Sequence, residues 1–189
     1  MKRLAASLLV LLAAGPSAAG AASFSLEAQQ RTDALRVGAQ SITQDAFDTE
    51  WRVTNQAGDT LTVITPFHRL VLAARNAAFK NEPVKEREPE KLLKEQQDRL
   101  VVWANLRGPR PDFARFFVPR LILSGREIEP TFVQNERTAA PLEGGRYLAR
   151  CVYGFPAKEL EPKSRVVLVV RDPDGRDVSR FTIDLASMR

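Results

Sequence analysis

His68 and Cys151 are the chain's only imidazole and only thiol, so together they bound the chemistry it can perform. A single histidine excludes a two-histidine zinc motif. Nucleophilic catalysis would have to pair His68 with Cys151 or a serine, yet no G-x-S-x-G elbow and no S-x-x-K motif places a nucleophile. His68 falls in the first turn of a predicted helix, away from its apolar stripe, and reads as an exposed surface histidine. Cys151 lies in Tyr147-Leu-Ala-Arg-Cys-Val-Tyr153, where residues 147, 149, 151 and 153 share one strand face, and reads as a small buried hydrophobe. Asp172, Asp174 and Asp177 gather around Gly175. An EF-hand loop needs glycine sixth and a bidentate glutamate twelfth, whereas here glycine is fourth and the twelfth residue is Ile183. A hairpin turn accounts for Asp172-Pro-Asp-Gly175 in full. No glycine-rich phosphate loop precedes a helix, and a carboxylate pair for glycosidic hydrolysis is a spatial feature without a sequence signature. The expectation is a protein with no catalytic residues, no metal and no cofactor.

Two stretches could bind rather than react. Trp103-Ala-Asn-Leu-Arg107-Gly-Pro-Arg110-Pro-Asp-Phe113-Ala-Arg115-Phe116-Phe117-Val-Pro-Arg120 interleaves basic and aromatic residues around a proline-rich turn. Such rings and guanidinium groups suit stacking on bases or sugars. The expected arrangement puts Trp103, Phe113 and Phe117 in the core and leaves the arginines in water. The alternative is a ligand or partner edge from Arg107 to Arg120, with Trp103 and Phe113 as platforms. The second stretch is the flank of the predicted helix, where Leu72 and Phe79 fall beside His68 and Arg75, roughly opposite the apolar stripe at about 100° per residue. Either the following helix covers Leu72 and Phe79, which is the expectation, or they form a partner-binding strip.

The address of these surfaces is written at the start of the chain. Lys2 and Arg3 precede an unbroken run of apolar or small residues from Leu4 to Ala14, and Gly15 and Pro16 break it. With Ala19 and Ala21 two apart, this is the pattern of a secretory signal peptide over residues 1–22, cleaved after Ala21 or after Ala22. The run is short of the roughly 20 residues that span a bilayer, and no cysteine near the cleavage site could carry a lipid. A periplasmic or secreted protein without a stable membrane anchor is expected. The 28 basic residues include Lys2 and Arg3, so against 23 acidic ones the remainder is only mildly basic. That balance and the export address argue against nucleic acid as a partner. A lone cysteine forbids an internal disulfide, so burial has to stabilise the fold.

The elements that must position these residues are mostly strands. Phe47 to Thr54 alternates with period two, Gly58 sits in a loop, and Leu61 to Ile64 returns as the second arm of a hairpin. Ser164 to Val170, the Asp172–Gly175 turn and Phe181 to Leu185 make a second hairpin. Leu100 to Leu106, Phe117 to Leu123, Glu127 to Val133 and Tyr147 to Tyr153 are further strands, and Phe24 to Val37 could add one or two more. One region departs from this grammar. Thr65 can cap a helix and Pro66 suits its first position. Phe67, Leu70, Val71, Ala74, Ala77 and Ala78 then form one stripe. A helix over 66–79 follows, with four alanines (Ala73, Ala74, Ala77, Ala78) that would let it approach a sheet closely. A charged, proline-interrupted link leads to the stretch from Glu90 to Leu100, which supplies a second helical turn or two anchored by Leu92 and Leu93.

On these strands and turns the stretch from Leu100 to Arg189 resembles exported bacterial immunoglobulin-like domains of unknown function. The likeness is carried by the strand from Leu100, by Ser124-Gly-Arg-Glu-Ile-Glu-Pro130, by Tyr147 to Pro156, by Leu160-Glu-Pro162 and by the closing hairpin. It implies a mainly β, immunoglobulin-like sandwich and no catalytic residues. The helical insertion at 66–99 and the missing lipobox cysteine depart from that group. The expected molecule is a single β-sandwich domain over 23–189. Its expected role is that of an exported, non-enzymatic envelope module, binding another exported protein or, alternatively, a small ligand or glycan.

Overall fold

The period-two segments pair into two antiparallel sheets. In the computed structural model, which describes residues 22–189, strand content is 34% against 27% helix, so the fold is mainly β. Apart from Ala22, the signal-peptide segment lies outside the described residues. The first sheet contains β1 (Arg52–Thr54), β2 (Thr60–Ile64), β3 (Arg99–Gly108), β8 (Tyr147–Pro156) and β6 (Phe132–Gln134) in that spatial order, with β7 (Ala140–Pro141) also paired to β8. The second runs β10 (Asp177–Asp184), β9 (Arg165–Arg171), β4 (Val118–Leu123), β5 (Arg126–Ile128). Alternation decides what each strand buries. Leu100, Val102, Ala104 and Leu106 of β3, with Ala149, Cys151, Tyr153 and Phe155 of β8, meet Leu121, Val166, Leu168, Val170, Phe181 and Ile183 of the second sheet in one shared core. Burial pushes the Cys151 thiol and the Tyr153 phenol up from their ordinary values, so Cys151 is the inert core residue its strand face implied.

Helix α2 (Pro66–Phe79) forms where expected: the Thr65 hydroxyl accepts from the His68 N–H at 3.1 Å, and Phe67, Leu70, Val71 and Ala74 are buried. Helix α3 (Glu88–Gln96) follows, starting on proline-bearing residues. Among the described residues no helix is long and apolar enough to cross a membrane.

Four expectations are corrected. Residues 24–37 are not strands: Ala28–Gln40 is helix α1, entered by a Gln30 side chain that accepts from the Glu27 N–H at 2.9 Å. Ala34 and Gly38, four apart, make a smooth buried face on it. That face receives α2, so the small residues of α2 admit a helix and not a sheet. The strand read over Glu127–Val133 is two strands in different sheets, and the chain crosses over at Pro130, which has no N–H to continue a ladder. The strand read from Phe47 begins only at Arg52, because Thr49–Trp51 is a 3-10 turn.

Candidate functional site

Because β3 turns Leu100, Val102, Ala104 and Leu106 inward, Val101, Trp103, Asn105 and Arg107 must face outward. Trp103 is 39% exposed, so it does not fill the core. The register builds its surroundings. Thr62, Trp103, Val152 and Gln134 form one row across β2, β3, β8 and β6, and Ile64, Val101, Gly154 and Phe132 form the next. Phe132 lies directly on Gly154: a Cβ at that glycine would sit 2.1 Å from the Phe132 Cε1, so only glycine leaves room for the ring. Phe132 remains 36% exposed. Helix α3 walls one end through Leu92, Glu95 and Gln96, and the Gln96 amide donates to the Ile64 carbonyl, tying helix to sheet. Arg69 and Arg99 complete the rim of a groove of about 310 Å3. Two aromatic residues on the outward face of a sheet, ringed by amides, a carboxylate and two guanidinium groups, can grip a flat apolar face while bonding the polar groups at its edge.

Arg107, Arg110 and Phe113 belong to a different cleft, about 500 Å3, bounded on its far side by the β9–β10 turn. Phe113 covers Gly108 and meets Phe117 edge-on, with centroids 5.6 Å apart. Asp59, buried in the wall, accepts from the Arg107 N–H (2.9 Å) and the Ser179 hydroxyl (2.8 Å). Arg176 pairs with Asp174 at 3.5 Å, while Asp172 accepts from the Asp174 and Arg176 N–H groups. The three aspartates of this turn are thus engaged by the hairpin itself, with Asp177 bound to Arg171 at 3.0 Å. Trp103 and Phe113 therefore do not form one platform. Arg115 lies over the Phe116 ring, 5.2 Å from its centroid.

The α2 flank divides. His68 is 1% exposed, which corrects its reading as a surface residue. The cause is Trp51, brought from the 3-10 turn to stack on the imidazole at 4.2 Å and 3° from parallel. Nδ1 sits 3.0 Å from the Val63 carbonyl, which can only accept, so Nδ1 carries the proton. Nε2 is buried without a partner. Burial lowers the pKa to about 4, against a smaller opposing contribution from the Val63 bond. Arg75 places its guanidinium 4.0 Å above the Phe47 ring. Leu72 is half-buried, whereas Phe79 is 78% exposed, so α3 does not cover both as expected.

Of the binding candidates in the two stretches singled out from sequence, Trp103 alone lies in the groove; Phe132, Gln134, Val152, Arg69, Glu95 and Arg99 join it from elsewhere in the chain. Among the described residues no three His, Cys, Asp or Glu side chains gather as metal ligands would.

No protein-family model and no curated protein matches the chain. Among solved structures, a protein of unknown function from Burkholderia pseudomallei K96243 is similar over 86% of this chain and 91% of its own, at 9% identity and a TM-score of 0.44. A likeness that distant carries no argument about what the chain does.

Proposed function

We propose that the chain is an exported, non-enzymatic binding module of the cell envelope, immunoglobulin-like in architecture, whose binding surface is the outward face of the first sheet around Trp103. Export rests on the leader pattern of Lys2 to Ala21, which sends the protein to the periplasm or beyond. The observation that carries the surface is the exposure of Trp103 beside Phe132 in a groove. Two exposed aromatics gathered in one groove, unlike aromatics scattered singly, mark a binding surface. The ligand class that fits is carbohydrate. The C–H face of a sugar ring stacks on indole, and its hydroxyls reach the side chains of Gln134, Glu95, Arg69 and Arg99 around it.

The test is calorimetric titration of the mature protein with soluble fragments of bacterial envelope glycans. Binding is expected for the wild type and for Arg110→Ala, whose side chain lines the other cleft. Trp103→Ala should lose about thirtyfold in affinity, the scale of a central aromatic contact. Equal affinity of the Trp103→Ala protein would move the binding surface elsewhere. A second reading, a protein partner on the helical insertion, is favoured by Phe79, 78% exposed at the end of α2. It is distinguished by co-purification from envelope fractions: Phe79→Asp should then release the partner while Trp103→Ala retains it.

A further inference from the structure

Ala22 is 1% exposed and packs in the same core as Leu26, Leu185 and Met188. Its N–H donates to the Leu185 carbonyl at 3.0 Å. That acceptor is itself held in place: Leu185 is buried, and its own N–H donates to the Ser164 carbonyl at 3.1 Å. The first residue after Ala19-Gly-Ala21 is therefore a packed, hydrogen-bonded part of the fold. Residues just past a leader are more often loose chain.

We propose that the Ala21–Ala22 peptide bond is the processing site, and that the Ala22 α-ammonium it releases is a structural group of the mature protein, seated on the Leu185 carbonyl. The proposal rests on the export reading above. In the hydrolysis, carried out by a leader peptidase of the host, the oxygen of water ends on the Ala21 carbonyl carbon as carboxylate. Both protons of water pass to the Ala22 nitrogen, giving an ammonium that keeps a donor for Leu185. Of the two frames open to the sequence, cleavage after Ala22 would remove a core methyl together with that donor and leave the buried carbonyl short of a partner. Cleavage after Ala21 preserves both. The order of events follows from burial. A peptidase takes its bond as accessible chain, and Ala22 once seated is not accessible, so processing precedes docking of residues 22–26. The seated end is then closed to aminopeptidases.

The full chain, expressed with its leader in a bacterium and purified from periplasm or medium, should have the intact mass of a chain beginning at Ala22. Native protein should resist an aminopeptidase that trims it once unfolded. A mass beginning at Ser23 or later would overturn the seat while leaving export standing. A cytoplasmic protein still carrying residues 1–21 would overturn the export reading and the seat together. A chain made to begin at Ser23 should melt about 2–4 °C lower, as expected when a domain of this size loses one buried hydrogen-bonded contact. Melting at the same temperature as the chain beginning at Ala22 would show that the end is not structural.

Discussion

Trp103 and His68 exchange the places expected of them, and the reason differs for each. For Trp103 the correct answer was legible in the alternation of β3: Leu100, Val102, Ala104 and Leu106 already supply a complete inward set, leaving the indole to share its face with Asn105 and Arg107. The register of the ring outweighs its hydrophobicity. For His68 nothing local pointed inward, because the ring that buries it, Trp51, arrives from another element. The consequence is measurable. In the unfolded chain His68 takes a proton below about pH 6.5, but in the fold only below about 4. Between those values the unfolded state binds the extra proton, so the stability His68 contributes as a neutral ring is whole above 6.5 and lost as pH falls toward 4. The loss should run at about 1.4 kcal/mol per pH unit, reaching about 3 kcal/mol. Denaturant melts of wild type and His68→Asn from pH 7 to 4 should differ by that slope. Parallel curves would mean that the buried imidazole is protonated as easily as a free one.

Among the elements, hairpins and α2 were readable because their determinants are contiguous: Asp172-Pro-Asp-Gly175 turns β9 into β10, and Thr65-Pro66 starts α2. The element misread outright was α1, whose apolar residues are sparse and whose helical face is defined by absence of bulk at Ala34 and Gly38. Small residues give no periodic signal until the partner that needs them is known. Their role predicts a specific sensitivity. A Cβ at Gly38 would lie 2.3 Å from the Val71 carbonyl oxygen and 2.7 Å from the Ala74 Cβ, and a backbone oxygen cannot swing aside. Overpacking costs about 1–3 kcal/mol, and against a fixed backbone oxygen the upper part of that range applies, about 2–3 kcal/mol, which outweighs the gain of about 1 kcal/mol from replacing glycine in a helix. Gly38→Ala should therefore lower unfolding free energy by about 1–2 kcal/mol in chemical denaturation. An increase would show that α1 and α2 have room to spare. Phe132 shows the same across strands: local alternation joins it to Glu127 in one strand, and only the crossover at Pro130 and the glycine at 154 bring it into the groove with Trp103.

At the scale of the molecule, residues 185–189 gather the distant parts. Leu185 receives Ala22, the Arg189 carbonyl accepts from the Trp51 indole at 2.8 Å and from the Thr65 hydroxyl, and the Arg189 guanidinium holds Glu50 at 2.7 Å. That hub fixes the 3-10 turn and the start of α2. The hydrogen bond from α3 to Ile64 joins the wall of the groove to the sheet. The chain has two tryptophans, one buried against His68 and one in the groove, so the part of an emission change that Trp103→Phe removes reports on the groove. Titrating the mature protein with envelope glycan fragments should give a saturable change in tryptophan emission that Arg110→Ala retains and Trp103→Phe abolishes. An undiminished change in the Trp103→Phe protein, or binding by calorimetry with no change in wild-type emission, would contradict the assignment of the outward face around Trp103 as the binding surface.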